Sequence, residues 1–304
     1  MVKMRIFITG ASGFIGKTAC EYFEEKNDIF APAHSELELL DADAVQNYVE
    51  KNDIDVILHC ANRGGRREDF KVDKVLEDNL RIFFNITRTS ASVKRIIYYG
   101  SGAEFGKSRN LKKVKEEQFG EQIPKEEYGF YKYVCNSYAK NSENVINLRL
   151  FGVFGRYENY RYRFISNAIM KNLAGADITV NRNVIFDFLY ITDLMTITDH
   201  FINKDSRYKE YNVTPTNSID LLRICDIINR IARKRSVVKV LNEGFDFEYT
   251  GDNSRLMEEL GNFKFKSYDE SIADLYKYYE QNMDKIDVKK LTEPSHTENS
   301  RSKK

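Results

Sequence analysis

The sequence predicts an α/β fold in which helices cover both faces of a doubly wound parallel sheet, followed by a smaller lobe. Short apolar runs alternate with amphipathic stretches through the first half of the chain, and this alternation stops after Phe151. Consecutive strands separated by one helix are joined by right-handed crossovers, which make the sheet parallel. At 304 residues the chain can bury one large core, or one core with a smaller lobe.

The predicted elements of the first half follow one another in alternation. Apolar runs predict strands over 4–8, 29–33, 55–59, 95–99 and 145–149. Amphipathic stretches predict helices over 13–25, 41–51, 75–90 and 126–140. Beyond residue 151 the pattern predicts helices over 163–173 and 218–232, and strands over 184–190 and 237–241. These interrupted elements indicate a lobe interleaved with the last part of the sheet.

The chain is therefore expected to form two parts and a tail. The sheet domain spans 1–155, and part of 176–215 completes its sheet. The smaller C-terminal lobe takes up most of 156–283. Residues 284–304 are rich in Lys, Asp, Glu, Ser and Thr with little apolar content, which predicts a disordered tail.

Composition argues against several classes of partner. Hydrophobic residues make up 42% of the chain, charged residues 31%, and the formal net charge is +1, so no overall basic field attracts nucleic acid. No apolar run approaches the length that crosses a bilayer, and the N-terminus lacks the pattern of a secretory signal. We expect a cytoplasmic protein that binds neither nucleic acid nor membrane.

The cysteines and histidines do not predict a metal site. The cysteines are scattered and form no CxxC pair, and the four histidines lack zinc-type spacing. We expect each cysteine to be a reduced thiol that fills apolar space. The cysteines are Cys20, Cys60, Cys135 and Cys225.

A glycine-rich turn follows the first predicted strand and opens the first helix. Its glycines have the spacing that permits a tight turn, close approach to a pyrophosphate and close packing of helix on strand. The helix N-terminus presents free N–H groups and a positive dipole end to the phosphates. The turn therefore predicts a Rossmann-type dinucleotide site. The predicted contacts are Gly10, Ser12, Gly13, Phe14, Ile15 and Gly16.

The end of the second strand selects between NAD and NADP. An acidic side chain there accepts hydrogen bonds from the ribose hydroxyls of NAD, whereas it repels the 2′-phosphate of NADP. The corresponding place falls near His34 or Ser35, with Glu36 close enough to leave the choice open. A cationic His34 favours NADP over NAD. Asp41 could reach the adenine, although helix capping explains it equally well, and Ala61 after the third strand is a further candidate cofactor contact.

A tyrosine and a lysine lie four residues apart in the helix predicted over 126–140. This spacing puts Tyr128 and Lys132 on one helical face. A lysine ammonium beside the cofactor ribose can lower the pKa of the neighbouring phenol, so that Tyr128 delivers or removes a proton while hydride moves. Because the chain has 19 tyrosines, a solvated Tyr/Lys face explains the pair alone equally well.

Ser101 favours the catalytic interpretation of the Tyr/Lys pair over a solvated helix face. It follows the fourth predicted strand, at the carboxyl edge where doubly wound sheets bind ligands. Its hydroxyl can hydrogen-bond a substrate carbonyl or alcohol oxygen beside Tyr128, whereas a turn serine is the alternative interpretation. The glycine turn, the strand-end hydroxyl and the Tyr/Lys helix come in the order that such a site requires. Together they predict Ser101, Tyr128 and Lys132 as catalytic residues.

These motifs resemble the extended short-chain dehydrogenases, the NAD-dependent epimerase/dehydratase family, over residues 4 to 280. The resemblance implies that Ser101, Tyr128 and Lys132 form the catalytic triad, and that Asn79 supports it and the cofactor. It also implies an NAD(P)-dependent oxidoreductase that acts on a nucleotide-activated sugar, held in the smaller lobe. Further segments similar to the family lie at 78–80, 149–155, 187–194 and 260–261.

Family members differ in their additional acid and base groups. Those that resemble 4,6-dehydratases carry an Asp-Glu pair directly after the catalytic hydroxyl, where this chain has Gly102 and Ala103. Neither residue can transfer a proton, and Glu104 lies one place further on and is expected to point elsewhere. Dehydration is therefore disfavoured.

The stretch 34–41 resembles the corresponding region of 4-ketosugar reductases of the GDP-L-fucose synthase type, which generally use NADPH. Ala103 occupies the place of the cysteine with which that synthase epimerises ring carbons. The resemblance therefore implies a simple reduction of a 4-keto-6-deoxyhexose. The alternatives are an NAD-dependent nucleotide-sugar 4-epimerase and a non-catalytic NAD(P)-binding sensor.

One departure from the family concerns the substrate. The family usually has Arg-Asp-Phe where this chain has Phe186-Asp187-Phe188, so an arginine that grips the substrate diphosphate is absent at that place. Arginines elsewhere could replace it, although each is equally explained as a solvated charge. The candidate substrate contacts are Ser101, Gly102, Arg161, Arg163 and Arg182, and in the loop after the third strand Arg63, Arg66 and Arg67. By resemblance, a homodimer through the helices at 75–90 and 126–140 is a further expectation.

Overall fold

The computed structural model describes residues 3–64, 73–286 and 291. Most of the predicted tail, together with Arg66 and Arg67, lies outside the described residues. The strands are β1 Arg5–Thr9, β2 Asp28–Phe30, β3 Val56–His59, β4 Arg95–Ser101, β5 Leu111–Val114, β6 Val145–Leu150, β7 Val153–Phe154, β8 Ile178–Val180, β9 Ile185–Phe186, β10 Leu189–Tyr190, β11 Glu210–Val213, β12 Ile219–Asp220, β13 Val238–Val240 and β14 Tyr249–Gly251. The helices are α1 Phe14–Phe23, α2 Ala42–Lys51, α3 Val75–Arg88, α4 Glu127–Ala139, α5 Phe164–Leu173, α6 Ile191–Asn203, α7 Leu221–Ile231, α8 Ser254–Leu260 and α9 Tyr268–Gln281.

The main sheet has six parallel strands in the order β11-β6-β4-β3-β1-β2. The chain winds from β1 outward to β2, then crosses back to β3 and continues in the other direction. The reversal places a crevice at the carboxyl ends of β1 and β3, where doubly wound sheets bind ligands. Thr9, His59 and Tyr98 stand in register at this edge. The predicted fold class is confirmed.

The core forms because the central strands are apolar on both sides. Phe7, Ile57 and Ile96 are fully buried on one face, which α2, α3 and α4 cover. On the other face α1 packs on α6, and the Tyr99 hydroxyl is 2.8 Å from that of Thr198 on α6. A sheet buried on both faces fixes the height of every strand end, and hence the positions of the loops that follow the strands.

The largest departure from the predicted elements lies in 184–190, which we expected to be one strand. The segment splits into β9, which pairs with β14, and β10, which pairs with β7. The buried Asp187 between them is the cause, because its carboxylate accepts a hydrogen bond from the Gly251 amide at 2.9 Å. The helix predicted from 218 begins at Leu221, where Asp220 caps it by accepting from the Arg223 amide.

The described chain divides into two compact units. The first contains the described residues up to Tyr157, with Val184–Ile219 and Phe245–Phe265. The second contains Glu158–Asn183, Asp220–Gly244 and the described residues from Lys266 onward. Residues 245–265, which we expected in the smaller lobe, thus belong to the unit with the large sheet, because β14 pairs with β5 and β9. Among the described residues no helix is both long and apolar enough to cross a membrane.

The second unit packs α5, α7 and α9 together beside the parallel pair of β8 and β13. Glu158 is buried in this unit, where its carboxylate accepts a hydrogen bond from the Ser166 hydroxyl at 2.6 Å. Burial raises the pKa of Glu158 to about 8, against the smaller opposing effect of Ser166. The folded protein therefore holds this carboxyl protonated at neutral pH.

A pH dependence of stability follows from Glu158. Its pKa is raised in the folded state from 4.5 to about 8, so the stability it contributes is complete below pH 4.5 and is lost as the pH rises through this range. The expected loss is about 1.4 kcal/mol per pH unit. Urea unfolding between pH 5.5 and 7.5 should show this slope reduced in Glu158→Gln, which keeps the shape and the acceptor for Ser166 without an ionisable group. Equal slopes in the two proteins would contradict the assignment.

Candidate active site

The glycine turn is as tight as its spacing predicts. Gly10 has a φ of +65°, and the Gly13 amide donates to its carbonyl oxygen at 2.9 Å. A Cβ on residue 10 would lie 2.8 Å from the backbone of Ala61, and one on Gly16 would lie 2.3 Å from the Gly10 carbonyl oxygen. Side chains at both positions are therefore excluded by neighbouring backbone, which brings β1, β3 and α1 close together.

The N-terminus of α1 is open for an anion. Gly13 is the N-cap and supplies no side-chain cap, and the first turn carries no acidic residue. The amides of Phe14 and Ile15 are among those that a helix leaves without intrahelical partners. Together with the close backbone approach at Gly10 and Gly16, this arrangement fits the pyrophosphate of a dinucleotide.

Ala61 and His59 line the neighbouring strand end. The Ala61 amide donates to the Thr9 hydroxyl at 3.0 Å, and that hydroxyl is 2.9 Å from His59 Nδ1. Burial, together with the smaller effect of the Lys132 charge, lowers the pKa of His59 to about 3. The imidazole is therefore neutral and links β1 to β3 beneath the predicted cofactor position.

The residues predicted to select between cofactors lie after β2. His34 is exposed, with Nε2 3.5 Å from the Glu38 carboxylate. The Glu36 carboxylate turns back to accept a hydrogen bond from the Ala33 amide at 2.7 Å. Asp41 is the N-cap of α2, accepting from the Asp43 and Ala44 amides at 3.0 Å, and it also lines an open groove of ≈ 490 Å³.

Asn79 holds the loop after β3 in place. Its side-chain amide donates to the carbonyl oxygens of Val75 and Arg63, and its oxygen accepts from the Arg63 amide at 2.9 Å. The Arg63 guanidinium forms an ion pair with the buried Asp78. Asn79 therefore fixes the path of the backbone beyond Ala61. The Arg63 side chain is held by Asp78, a residue of the same compact unit.

Ser101 ends β4 and is fixed by a capping box. Its hydroxyl oxygen accepts from the Ala103 amide at 3.2 Å, and its own amide donates to the Glu104 carboxylate at 2.9 Å. The Glu104 side chain thus points into the core, as expected, and is completely buried. Backbone and hydroxyl of Ser101 are both held, so this side chain is presented in one position at the sheet edge.

Tyr128 lies in the first turn of α4, the helix that packs on the segment following Ser101. The next residue, Gly129, allows the close approach, because a Cβ there would lie 2.9 Å from the Ala103 carbonyl oxygen. The Tyr128 ring packs edge-on against Tyr131, with centroids 5.4 Å apart. The structure thus brings the Tyr/Lys helix against the segment that carries Ser101.

Lys132 lies one turn after Tyr128 on α4, and its ammonium group is buried. Its Nζ donates to the Tyr99 carbonyl oxygen at 2.7 Å and lies 6.0 Å from the centre of the Tyr128 ring. Burial lowers the pKa of Lys132 to about 8, while the neighbouring Cys135 and Glu104 oppose the shift. A solvated Tyr/Lys face is thereby excluded, since Lys132 is only 6% exposed.

A buried polar network lies behind the site. The Arg149 guanidinium donates to Glu104 at 2.7 Å and to Asn212 at 3.0 Å, and it also pairs with Glu210. The side-chain amide of Asn136, one turn beyond Lys132 on α4, donates to Glu210 at 2.7 Å. The network therefore ties β4, β6, β11 and α4 together directly beneath Ser101 and Lys132.

The structure places the candidate substrate residues in different surroundings. Phe186, at the place of the family's arginine, stacks on Phe188 with centroids 4.6 Å apart. Gly102 has no room for a side chain, because a Cβ would lie 2.7 Å from the Tyr249 hydroxyl and 2.8 Å from the Phe151 ring. The remaining arginines belong to the second unit, so their substrate contacts stay predictions. These are Arg161, Arg163 and Arg182.

Sequence patterns missed two groups that the structure adds to the site. Lys107 places its ammonium 5.5 Å from the Tyr128 ring and 5.3 Å from the Tyr249 ring. Tyr249 comes from β14, and no motif marks it. The capping box at Ser101 and Glu104 was detectable, because Ser-x-x-Glu is its sequence signature. The described residues include no cluster of metal ligands, and the four cysteines form no disulfide.

The fold is of the Rossmann type that dinucleotide-dependent enzymes share. The model of the NAD dependent epimerase/dehydratase family matches residues 6–214, and the chain belongs to this family. The resemblance inferred from the motifs is therefore confirmed.

Individual relatives are distant. ADP-L-glycero-D-manno-heptose-6-epimerase of Brachyspira hyodysenteriae is 23% identical over 273 residues, which cover 76% of this chain and 82% of the relative. The crystal structure of GDP-L-fucose synthetase from Naegleria fowleri bound to NADP has a TM-score of 0.79 at 17% identity, covering 93% of this chain and 95% of that chain. MlghC, the GDP-mannoheptose C4 reductase from Campylobacter jejuni with NADP bound, has a TM-score of 0.78 at 15% identity, covering 92% and 99%. At these identities the structures demonstrate a shared fold.

Proposed function

We propose that the protein is an NAD(P)-dependent oxidoreductase that reduces the 4-keto group of a nucleotide-linked 4-keto-6-deoxyhexose. One observation carries the proposal: α4, which bears Tyr128 and the buried Lys132, lies so close to the segment after Ser101 that a Cβ on Gly129 would be 2.9 Å from the Ala103 carbonyl oxygen. Phenol, ammonium and hydroxyl are the groups that a carbonyl reduction needs for proton delivery and for holding the oxygen.

Each residue has a proposed role. Tyr128 protonates the carbonyl oxygen, Lys132 stabilises the phenolate that remains, and Ser101 hydrogen-bonds the same oxygen. Reduced nicotinamide, when bound, supplies the hydride to carbon 4. The glycine turn and the open N-terminus of α1 would hold its pyrophosphate, with Ala61 and Asn79 lining the adjacent loop and Asp41 near the adenine.

The geometry around Ser101 supports reduction over dehydration. An acid at position 102 is needed for dehydration by the family's route, and a side chain there would force the Tyr249 and Phe151 side chains to shift. Ala103 supplies no thiol or acid either, and its side chain is completely buried. The groups present therefore support hydride transfer with one proton, and no elimination of water.

NADP is the proposed cofactor, in preference to NAD. His34 would leave Glu38 and pair with the 2′-phosphate, and two of the similar structures hold NADP. The second unit, with Arg161, Arg163 and Arg182, is the proposed lobe for the nucleotide sugar. A homodimer through α3 and α4 also remains a prediction.

The test is a panel of nucleotide-linked 4-keto-6-deoxyhexoses with GDP, UDP and dTDP carriers, each offered with NADPH and with NADH. We expect loss of reduced-nicotinamide absorbance with at least one ketosugar, faster with NADPH. A 4-epimerase would instead interconvert two 4-hydroxy nucleotide sugars without net consumption of coenzyme. Coenzyme binding without turnover of any sugar would favour the sensor and contradict the proposal.

A further inference from the structure

Tyr249 lies beside the catalytic hydroxyl, although it belongs to a distant stretch of the chain. Its ring packs between Phe151 and Phe186, with centroid distances of 5.2 and 4.8 Å. The Lys107 ammonium lies 5.3 Å from this ring and 5.5 Å from that of Tyr128. Strand β14 therefore brings a second phenol into the cluster formed by Tyr128 and Ser101.

The Tyr249 hydroxyl points to the backbone next to Ser101. A Cβ on Gly102 would lie 2.7 Å from the hydroxyl oxygen. This oxygen is buried, and in the described part of the chain it has no partner at full hydrogen-bonding geometry. A buried polar group left unpaired destabilises the folded protein. Phenylalanine would fill the same space without leaving a polar atom unpaired. The presence of the Tyr249 hydroxyl therefore indicates that it has a function.

Ser101 is the hydroxyl within reach of Tyr249. Burial raises the pKa of Tyr249 well above its ordinary value, so the phenol keeps its proton, and the Ser101 side chain is a hydrogen-bonding neighbour of it. The Ser101 oxygen also accepts the Ala103 amide at 3.2 Å. A serine hydroxyl offers two acceptor sites and one proton.

We propose that Tyr249 is a positioning residue, whose hydroxyl donates to Ser101 Oγ and thereby makes Ser101 the hydrogen-bond donor to the reacting oxygen of the substrate. With Ala103 and Tyr249 on its two acceptor sites, the Ser101 proton is left for the substrate. This inference rests on the proposed function, because a donor at this place polarises a carbonyl that is being reduced. Tyr249 itself is 8% exposed and acts from behind Ser101.

The test is a double-mutant cycle between Tyr249→Phe and Ser101→Ala. Tyr249→Phe keeps the ring between Phe151 and Phe186, and we expect it to lower kcat for the ketosugar about tenfold, the effect of one hydrogen bond. The KM for the ketosugar and the dissociation constant of NADPH should stay unchanged. In the Ser101→Ala background the same substitution should have no further effect, because no hydroxyl remains to be positioned. An equal fall in both backgrounds, or no fall in the enzyme with Ser101, overturns the proposal.

Tyr279→Phe is the matched control. Tyr279 is another buried phenol whose oxygen lacks a partner in the described residues, and it belongs to the second unit. Its replacement should leave kcat unchanged.

A crystal structure gives a readout that does not depend on turnover. We expect Tyr249 Oη and Ser101 Oγ about 2.7–2.8 Å apart. A separation beyond hydrogen-bonding distance overturns the inference whatever the enzyme turns over. A short separation in a protein that reduces no ketosugar supports the hydrogen bond and contradicts only the proposed function.

Discussion

Replacing Tyr128 with phenylalanine is expected to lower kcat for ketosugar reduction by about 10²–10⁴-fold, while NADPH binds as in the wild type. The hydroxyl is the proposed proton donor, and phenylalanine lacks it. The ring should keep its edge-on contact with Tyr131, whose centroid is 5.4 Å away, so the start of α4 stays in position. Steady-state kinetics and a fluorescence titration with NADPH measure the two quantities.

Tyr133→Phe is the control for this substitution. Tyr133 lies on the same helix, and its ring stacks on Phe119 with centroids 4.7 Å apart, a contact that phenylalanine retains. The control should leave kcat within about twofold of wild type. If Tyr128→Phe turns over as fast as this control, the catalytic assignment is wrong.

The second large effect concerns stability. Arg149→Leu should destabilise the protein by about 3–5 kcal/mol, because removing one partner of a buried ion pair leaves uncompensated charge in the core. The guanidinium is completely buried and forms ion pairs with both Glu104 and Glu210. Urea unfolding measures the loss, and kcat should also fall, since Glu104 holds the Ser101 amide.

Two variants separate this explanation from a general effect of losing an arginine. Arg233→Leu removes a guanidinium that is 90% exposed and pairs with Glu280 at 3.3 Å, and it should change stability by no more than about 0.5 kcal/mol. Adding Glu104→Gln to Arg149→Leu removes one of the stranded charges and should restore part of the lost stability. A similar small loss for both arginine variants would contradict the buried-charge explanation.

The main sheet and the dinucleotide turn could be predicted from sequence because both depend on local patterns. The short apolar runs at 4–8 and 55–59 have the length typical of buried strands, and the glycines at 10 and 16 are required by backbone that lies close in the fold. The Ser101, Tyr128 and Lys132 positions likewise follow from helix and strand periodicity. Their catalytic role is the part that kinetics must test.

The remaining features depend on contacts between distant segments. Nothing near Tyr249 in the sequence shows that β14 would pair with β5 and β9 and reach Gly102. The split of 184–190 depends on the carboxylate of Asp187 meeting the Gly251 amide. The partners of Arg149 lie 45 and 61 residues away, at Glu104 and Glu210. Such pairings carry no periodic signal in the chain.

The crowding around Gly102 limits how this scaffold could acquire new chemistry. Installing the acidic pair of a dehydratase at positions 102 and 103 would force the Asp side chain into the Phe151 ring and the Tyr249 oxygen, 2.8 and 2.7 Å from its first carbon. Exchange of these two residues alone should yield a misfolded strand end and no new activity. A route to dehydration would have to begin with smaller residues at both Phe151, after β6, and Tyr249, on β14, so an evolving lineage must alter the packing behind the catalytic loop before the loop itself can change.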